Sequence, residues 1–414
     1  MRVLWITFNY FPDICKEVNL EESVTGSWVF AYAKAVMRQN PEIELGVATP
    51  YKGNDFRNVE INGINYYLIP SKNNKLYNPK LEPIWLKVKE HFEPQIIHIH
   101  GSEYPLGLSY VRACGPKGVV LSIQGLVSVI ERHYMGGITN IDIFKNITFR
   151  DIVRFDSLFG QKRDFLRRGT FEKKLIQKIS HVIGRTDWDR AHSWAINPGI
   201  KYHFCNETLR DSFYNKKWKY NDCEKYSIFL SQGQYPLKGL HKLIRALPII
   251  IREFPETKVY IAGSDILNNR GIKISGYGLY IKKILNKNKN QLVFLGQLSE
   301  EQMIQRLLKT NVFVCPSSIE NSSMSTCEAQ ITGVPTIAAY VGGIPNLITH
   351  GKNGLLYRFD EPELLAWEIC KVFSDPQLRN LISENGIIAA KERHDPKENA
   401  TALNNAYTEI LMSL

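Results

Sequence analysis

The chain has 414 residues, 44% hydrophobic and 22% charged, with 52 Lys and Arg against 41 Asp and Glu, a surplus of 11 positive charges. This globular composition excludes a disordered tail or a fibre. The length exceeds the roughly 250 residues at which single cores stop growing, so two cores with a ligand cleft between them are expected.

The N-terminus, MRVLWITFNYFPD, carries one charge before a short apolar run that stops at Pro12-Asp13, too brief for a signal h-region. No apolar stretch approaches the roughly 20 residues of a spanning helix. Seven cysteines, at 15, 114, 205, 223, 315, 327 and 370, form no C-x-x-C pair and suit neither a disulfide frame nor a zinc site. A reducing cytosol is the expected compartment.

RVLWITF (2–8), ELGVATP (44–50), INYYLIP (64–70), QIIHIHG (95–101), GVVLSIQG (118–125) and HVIGRT (181–186) read as strands of a parallel α/β layer. His98 and His100 share one strand face with no third metal ligand nearby. His100 and Glu103 stand at that strand's carboxyl end, where an acceptor contact is expected. Segment 126–178 departs from the pattern. Residues 145–178 hold ten Lys and Arg against four acids, interleaved with Phe149, Phe155, Leu158, Phe159, Phe165 and Phe171. It suits a solvated helical face, or contact with an anionic membrane surface or a phosphate-bearing acceptor; no recognition motif supports nucleic acid. Asp187-Trp188-Asp189 is a D-x-D, the spacing of a metal pair, yet it follows HVIGRT at a helix start, where acids cap.

A polar stretch at 206–224 marks the interdomain connection. The second half repeats the strand pattern in YSIFLSQG (226–233), KVYIAGS (258–264), QLVFLGQL (291–298), NVFVCPSS (311–318) and VPTIAAYVGG (334–343). Between the first two, GLHKLIRALPIIIREFP (239–255) has helical spacing at Leu240, Leu243, Ile244 and Leu247. Near the end, Leu403, Ala406, Tyr407, Ile410, Leu411 and Leu414 form one apolar helix face.

The most specific stretch is CPSSIENSSMSTCEAQITGVPTIAAYVGGIPNLITHGKNGLLY, residues 315–357. It leaves a strand, turns through polar residues and enters a helix capped by Ser322 or Ser323. The free amides near 322–325 would face the carboxyl edge of the sheet, where α/β folds bind ligands. Amides there suit a phosphate, and Glu320 and Glu328 suit sugar hydroxyls.

This stretch resembles the E-x7-E signature of the retaining GT-B glycosyltransferases of family 4. Glu320 and Glu328 have the spacing, followed in order by Gly333-Val334-Pro335, Gly342-Gly343-Ile344-Pro345 and Gly351-Lys352-Asn353-Gly354. SQGQYPLKGLHKLIRAL (231–247) is similar to the family's K-G-x-x-x-L-I-x-A-L segment, and YIAGSD (260–265) to its nucleotide-side glycine turn.

The resemblance implies two facing Rossmann-like domains with parallel sheets, an acceptor domain at 1–210 and a donor domain at 211–395, with helix 396–414 completing the first. It implies that Glu328 grips the ribose, Glu320 the donor sugar with Asn321, Ser322, Ser323 and Met324, and Lys238 with Gly26 and Ser27 the diphosphate. Gln234, Gly263, Ser264, Gln124 and Arg185 complete the donor set. Two positions depart from the family pattern. Gln232 or Gln234 stands where relatives carry Arg, leaving Lys238, with Arg185, to carry the charge. Gln124 stands where relatives often carry His.

What the resemblance implies is a hexosyltransferase using a UDP- or GDP-sugar, with no cofactor and no metal. Its acceptor would be a glycan or lipid-linked glycan in bacterial surface polysaccharide synthesis, reached in the cytoplasm or from the inner membrane face. A sugar-nucleotide epimerase of the same fold and a non-catalytic nucleotide-sugar-binding scaffold are the alternatives. The missing G-x-G-x-x-G after the first strand argues against a nicotinamide dehydrogenase, and the missing G-x-x-x-x-G-K-[ST] against a P-loop enzyme.

Overall fold

The computed structural model describes residues 1–18, 27–268 and 273–414. The chain divides into two compact units, one of Met1–Glu131, Asp164–Arg210 and His394–Leu414, the other of Arg132–Arg163 and Asp211–Arg393.

The first unit is built on eight strands among the described residues: β1 (Arg2–Ile6), β2 (Glu44–Tyr51), β3 (Arg57–Ile61), β4 (Ile64–Pro70), β5 (Ile96–His100), β6 (Val119–Ser122), β7 (His181–Gly184) and β8 (Lys201–Phe204). Their order is β3-β4-β2-β1-β5-β6-β7-β8, parallel throughout except for the β3–β4 hairpin. β5, β6 and β7 are buried along their whole length, which is why they read as unbroken apolar runs. β3 and β8 went unanticipated because they are short, mostly exposed edge strands.

The helix Pro396–Met412 belongs to this unit. Asp395 caps it by accepting from the backbone N–H groups of Lys397 and Glu398. It buries Leu403, Ala406, Tyr407 and Ile410 against the helix Ser27–Gln39 and β5, while Leu411 is half-buried and Leu414, past its end, is exposed. The Tyr407 hydroxyl lies 3.0 Å from the donating Trp5 Nε1 and 2.6 Å from His98 Nδ1, and His98 Nε2 is 2.6 Å from Ser122 Oγ. One buried network therefore joins β1, β5, β6 and the last helix. His98 is a core residue.

The second unit carries six strands among the described residues: β9 (Glu224–Leu230), β10 (Lys258–Ile261), β11 (Leu292–Phe294), β12 (Thr310–Cys315), β13 (Thr336–Ala339) and β14 (Leu355–Tyr357). All are parallel, in the order β11-β10-β9-β12-β13-β14. β9 and β12 lie side by side at its centre, with Phe229 opposite Phe313. The connecting stretch is tied to this unit by Trp218, whose N–H and Nε1 donate to the carbonyls of Thr332 and Thr310, each at 2.7 Å.

One assignment differs from the expected domain at 1–210: residues 132–163 pack with the second unit. His241 Nε2 meets the Gly136 carbonyl at 2.7 Å, Thr148 Oγ1 donates to the Ile274 carbonyl at 2.9 Å, and the Gly276 N–H donates to Asp151 Oδ2 at 2.8 Å. These contacts join residues more than 100 positions apart, so local periodicity carries no trace of them.

Truncating Tyr407 opens a cavity and strands two polar partners. Tyr407→Ala is expected to lower the urea-unfolding free energy by about 3–5 kcal/mol, and Tyr407→Phe by about 1–3 kcal/mol. Unchanged unfolding midpoints in both would contradict the network's role.

Candidate functional site

In the second unit, β9 runs into the turn 231–238 and β12 into the loop 316–323, so two adjacent strands deliver two loops to one sheet edge. The helix Leu240–Glu253 buries Leu240, Leu243, Ile244, Leu247 and Ile250 and anchors the first loop. Gly239 precedes it with φ +71°, and a Cβ there would lie 1.6 Å from the Pro316 carbonyl oxygen. Only glycine allows this approach. The Ser318 N–H completes the docking by donating to the Leu237 carbonyl at 2.8 Å.

That contact places Lys238 against Glu320, with Nζ donating to Oε1 at 2.6 Å and side chains 22% and 15% exposed. Burial works against the lysine's charge, but the Glu320 carboxylate, with help from Tyr235 and Cys315, outweighs it and holds the ammonium above the ordinary lysine range. Glu320 is fixed from its other side: Gly343 N–H donates to its carbonyl at 2.9 Å, and a Cβ on Gly342, at φ +52°, would lie 2.0 Å from that same oxygen.

The helix Met324–Thr332 begins at Ser323, whose hydroxyl accepts from the Thr326 N–H, and ends at Gly333 in the left-handed conformation. A helix start offers Met324 and Ser325 no intrahelical acceptor for their N–H groups, and its dipole favours an anion there. Asn321, Ser323 and Glu328 are buried, while Ser322 and Met324 are half-buried. At the end of neighbouring β10, the Gln234 amide lies over Gly263, where a Cβ would be 2.5 Å from its Nε2; Ser264 beside it is exposed. Lys238, Glu320, residues 321–324 and Glu328 thus share the β9–β12 edge, flanked by Gln234, Gly263 and Ser264.

Four further positions lie in the first unit. Arg185, at the end of β7, meets Glu207 Oε1 at 2.5 Å and donates through Nη2 to the Ile123 carbonyl at 2.9 Å and to Gln124 Oε1 at 3.1 Å. Gln124 Nε2 donates to Glu207 Oε1 at 2.6 Å. Burial disfavours the guanidinium charge, and Glu207 more than restores it. The charge of Arg185, expected to face a phosphate, is therefore matched inside its own unit by a residue the sequence reading did not single out.

His100 stacks on His98 at a ring separation of 3.9 Å and lies 4.2 Å from the tilted Trp5 ring, and among the described residues neither of its ring nitrogens has a hydrogen-bond partner. Burial, then the charge of Arg185, pushes it down to about 3, so the ring is neutral at neutral pH. Burial, reinforced by Glu172, pushes the Glu103 carboxyl up to about 7. Glu172 accepts from Ser102 Oγ at 2.8 Å, Val127 N–H at 3.0 Å and Ser128 N–H at 2.9 Å, filling the start of the helix Val127–His133. Its place in a basic run hid it from sequence reading.

Asp189 forms a capping box with Thr186, so the D-x-D is a helix cap. Gly26 lies outside the described residues, and Ser27 opens the helix Ser27–Gln39. Among the described residues no group of three or more His, Cys, Asp or Glu is placed to hold a metal ion.

The raised Glu103 carboxyl gives a pH test. An acid whose folded pKa exceeds its unfolded value favours folding below the unfolded pKa, and this contribution is lost as pH rises through about 7. Glu103→Gln is expected to raise the denaturation midpoint relative to the parent at pH 8 more than at pH 5. An equal difference at both values would contradict the assignment.

Residues 212–388 match the family model described as glycosyl transferases group 1. An uncharacterized glycosyltransferase of Methanocaldococcus jannaschii is 29% identical over 186 residues, 45% of each chain; the chain spans about half the length of the curated relatives it matches. Among solved structures, sucrose-phosphate synthase from Thermosynechococcus elongatus aligns over 100% of both chains with a TM-score of 0.73 at 16% identity. Anabaena HepE in complex with UDP-glucose aligns over 100% of both chains at 0.64 and 17%. By sequence, residues 212–388 are similar to group 1 glycosyl transferases; by architecture, the chain has the GT-B fold.

Proposed function

We propose that the chain is a retaining hexosyltransferase that moves a sugar from a UDP- or GDP-sugar to a glycan or lipid-linked glycan acceptor in bacterial surface polysaccharide synthesis. The observation that carries this reading is the Lys238–Glu320 pair beside a helix start, within the segment similar to group 1 glycosyl transferases. The solved complex of HepE with UDP-glucose supports a nucleotide-sugar donor on this fold.

In this reading the Met324 and Ser325 amides and the Lys238 ammonium face the donor diphosphate and stabilise the charge that grows on it as the glycosidic bond breaks. Glu320 and Asn321 hold sugar hydroxyls, and Glu328 the ribose. The departing phosphate oxygen takes the acceptor's proton on the same face, which retains the anomeric configuration without a protein nucleophile. Lys238 is the only cation in the turn 231–238, so the leaving-group charge on this loop depends on it. The reaction so drawn needs no divalent metal.

Hydrogen bonds to charged groups contribute about 1.5–3 kcal/mol, so Glu328→Ala should weaken UDP or GDP binding roughly tenfold to a hundredfold by calorimetry. Unchanged nucleotide affinity would reject the assignment. Lys238→Ala should lower kcat by roughly two to three orders of magnitude, as for loss of one preorganised donor to a developing anion. Chelation by EDTA should leave turnover unaltered, and recovery of lost turnover by added magnesium would show that a metal takes part.

A further inference from the structure

Between Ile141 and Phe155 the second unit exposes six large apolar side chains: Ile141, Phe144, Phe149, Ile152, Val153 and Phe155. Phe144, Phe149 and Phe155 are 73%, 66% and 88% exposed. Ile141 and Phe144 are three apart on the helix Asn140–Lys145; Phe149, Ile152 and Val153 share a face of the helix Phe149–Arg154. The opposite sides are anchored. Ile143 and Asp151 are buried, Asp151 takes the Gly276 N–H at the start of the helix Gly276–Leu285, and Thr148 donates to Ile274. Both short helices thus turn their apolar faces away from the unit's core.

The charges around this face are one-sided. Each acid of residues 140–163 is engaged: Asp142 with Thr139 Oγ1 at 2.8 Å, Asp151 with Gly276 and Thr148, and Asp156 with Arg150 at 2.8 Å. Lys145, Arg154 and Arg163 are exposed. Large apolar side chains exposed at this density along the chain, rather than singly, mark an interaction surface. A second copy seated symmetrically would put Lys145, Arg154 and Arg163 on both sides of one seam, where no acid of residues 140–163 is fully exposed. Among the described residues no helix is long and apolar enough to cross a membrane.

We propose that the face 141–155 seats the protein on an anionic lipid bilayer, with Phe144, Phe149 and Phe155 entering the acyl boundary and Lys145, Arg154 and Arg163 meeting lipid phosphates. This narrows the basic segment 145–178, whose later part lies in the first unit with Arg168 and Glu172 buried. It is independent of the transfer reaction, and binding is measured without donor or acceptor.

The test is flotation of the full chain with vesicles of phosphatidylcholine alone and of phosphatidylcholine mixed with phosphatidylglycerol. The parent should float with the mixed vesicles and not with the neutral ones. Phe144→Ser/Phe149→Ser/Phe155→Ser should lower partitioning by roughly two orders of magnitude or more, because each buried aromatic accounts for on the order of a tenfold factor. Lys145→Glu/Arg154→Glu/Arg163→Glu should lower it by about fivefold or more per site. All six side chains are exposed, so both variants should keep the parent's circular dichroism and melting temperature. Absence of flotation, equal flotation of the parent on neutral vesicles, equal flotation of the serine variant, or a dimer of the parent that this variant dissolves would each overturn the proposal.

Discussion

Gly239 rests on the carbonyl of Pro316, and the candidate site takes its shape from that contact. Gly239 closes the turn after β9 and Pro316 opens the loop after β12, and these strands are neighbours at the centre of a parallel sheet, so the approach is an outcome of strand order. A side chain at position 239 would push the loops apart, moving Lys238 from Glu320 and Glu320 from the helix start at Ser323. The Gly342-Gly343 turn closes on the Glu320 carbonyl from the far side. Backbone contacts at glycines thus fix the positions of two charged side chains that do not themselves hold the fold together.

Buried charge is paired in both units. In the first, Arg185 is answered by Glu207 and Gln124, and Glu172 fills a helix start with its own carboxylate. Those carboxylates are answered inside the unit, since a buried ion left without its partner is costly. In the second unit the helix start at Met324 holds no side-chain carboxylate in its first turn, and the lysine beside it is kept charged by a single acid. An arriving diphosphate would add negative charge where the fold supplies dipole and ammonium, which is the physical basis of the proposed donor site.

Much of this was legible in the sequence. Strands buried on both faces announce themselves as apolar runs, and all eleven strand segments anticipated from such runs contain a strand. β3 and β8 escaped as mostly exposed edge strands, and β14 as a three-residue edge strand just after the Gly351–Gly354 turn. The grouping of Lys238, Glu320 and Glu328 was readable through the family resemblance that their motifs carry. The Arg185–Glu207 pair was not, since a buried acid 22 residues from its partner looks like any other acid. The return of residues 132–163 to the second unit was equally hidden, being set by tertiary contacts such as Gly276 to Asp151 rather than by local pattern.

The Lys238–Glu320 edge is proposed to receive a nucleotide diphosphate. A crystal structure of the chain grown with a UDP- or GDP-sugar tests it most directly. Diphosphate oxygens are expected within hydrogen-bond distance of the Met324 or Ser325 amide and of Lys238 Nζ, with the ribose hydroxyls on Glu328. A nucleotide bound elsewhere, with Lys238 and Glu328 touching no part of it, would contradict it.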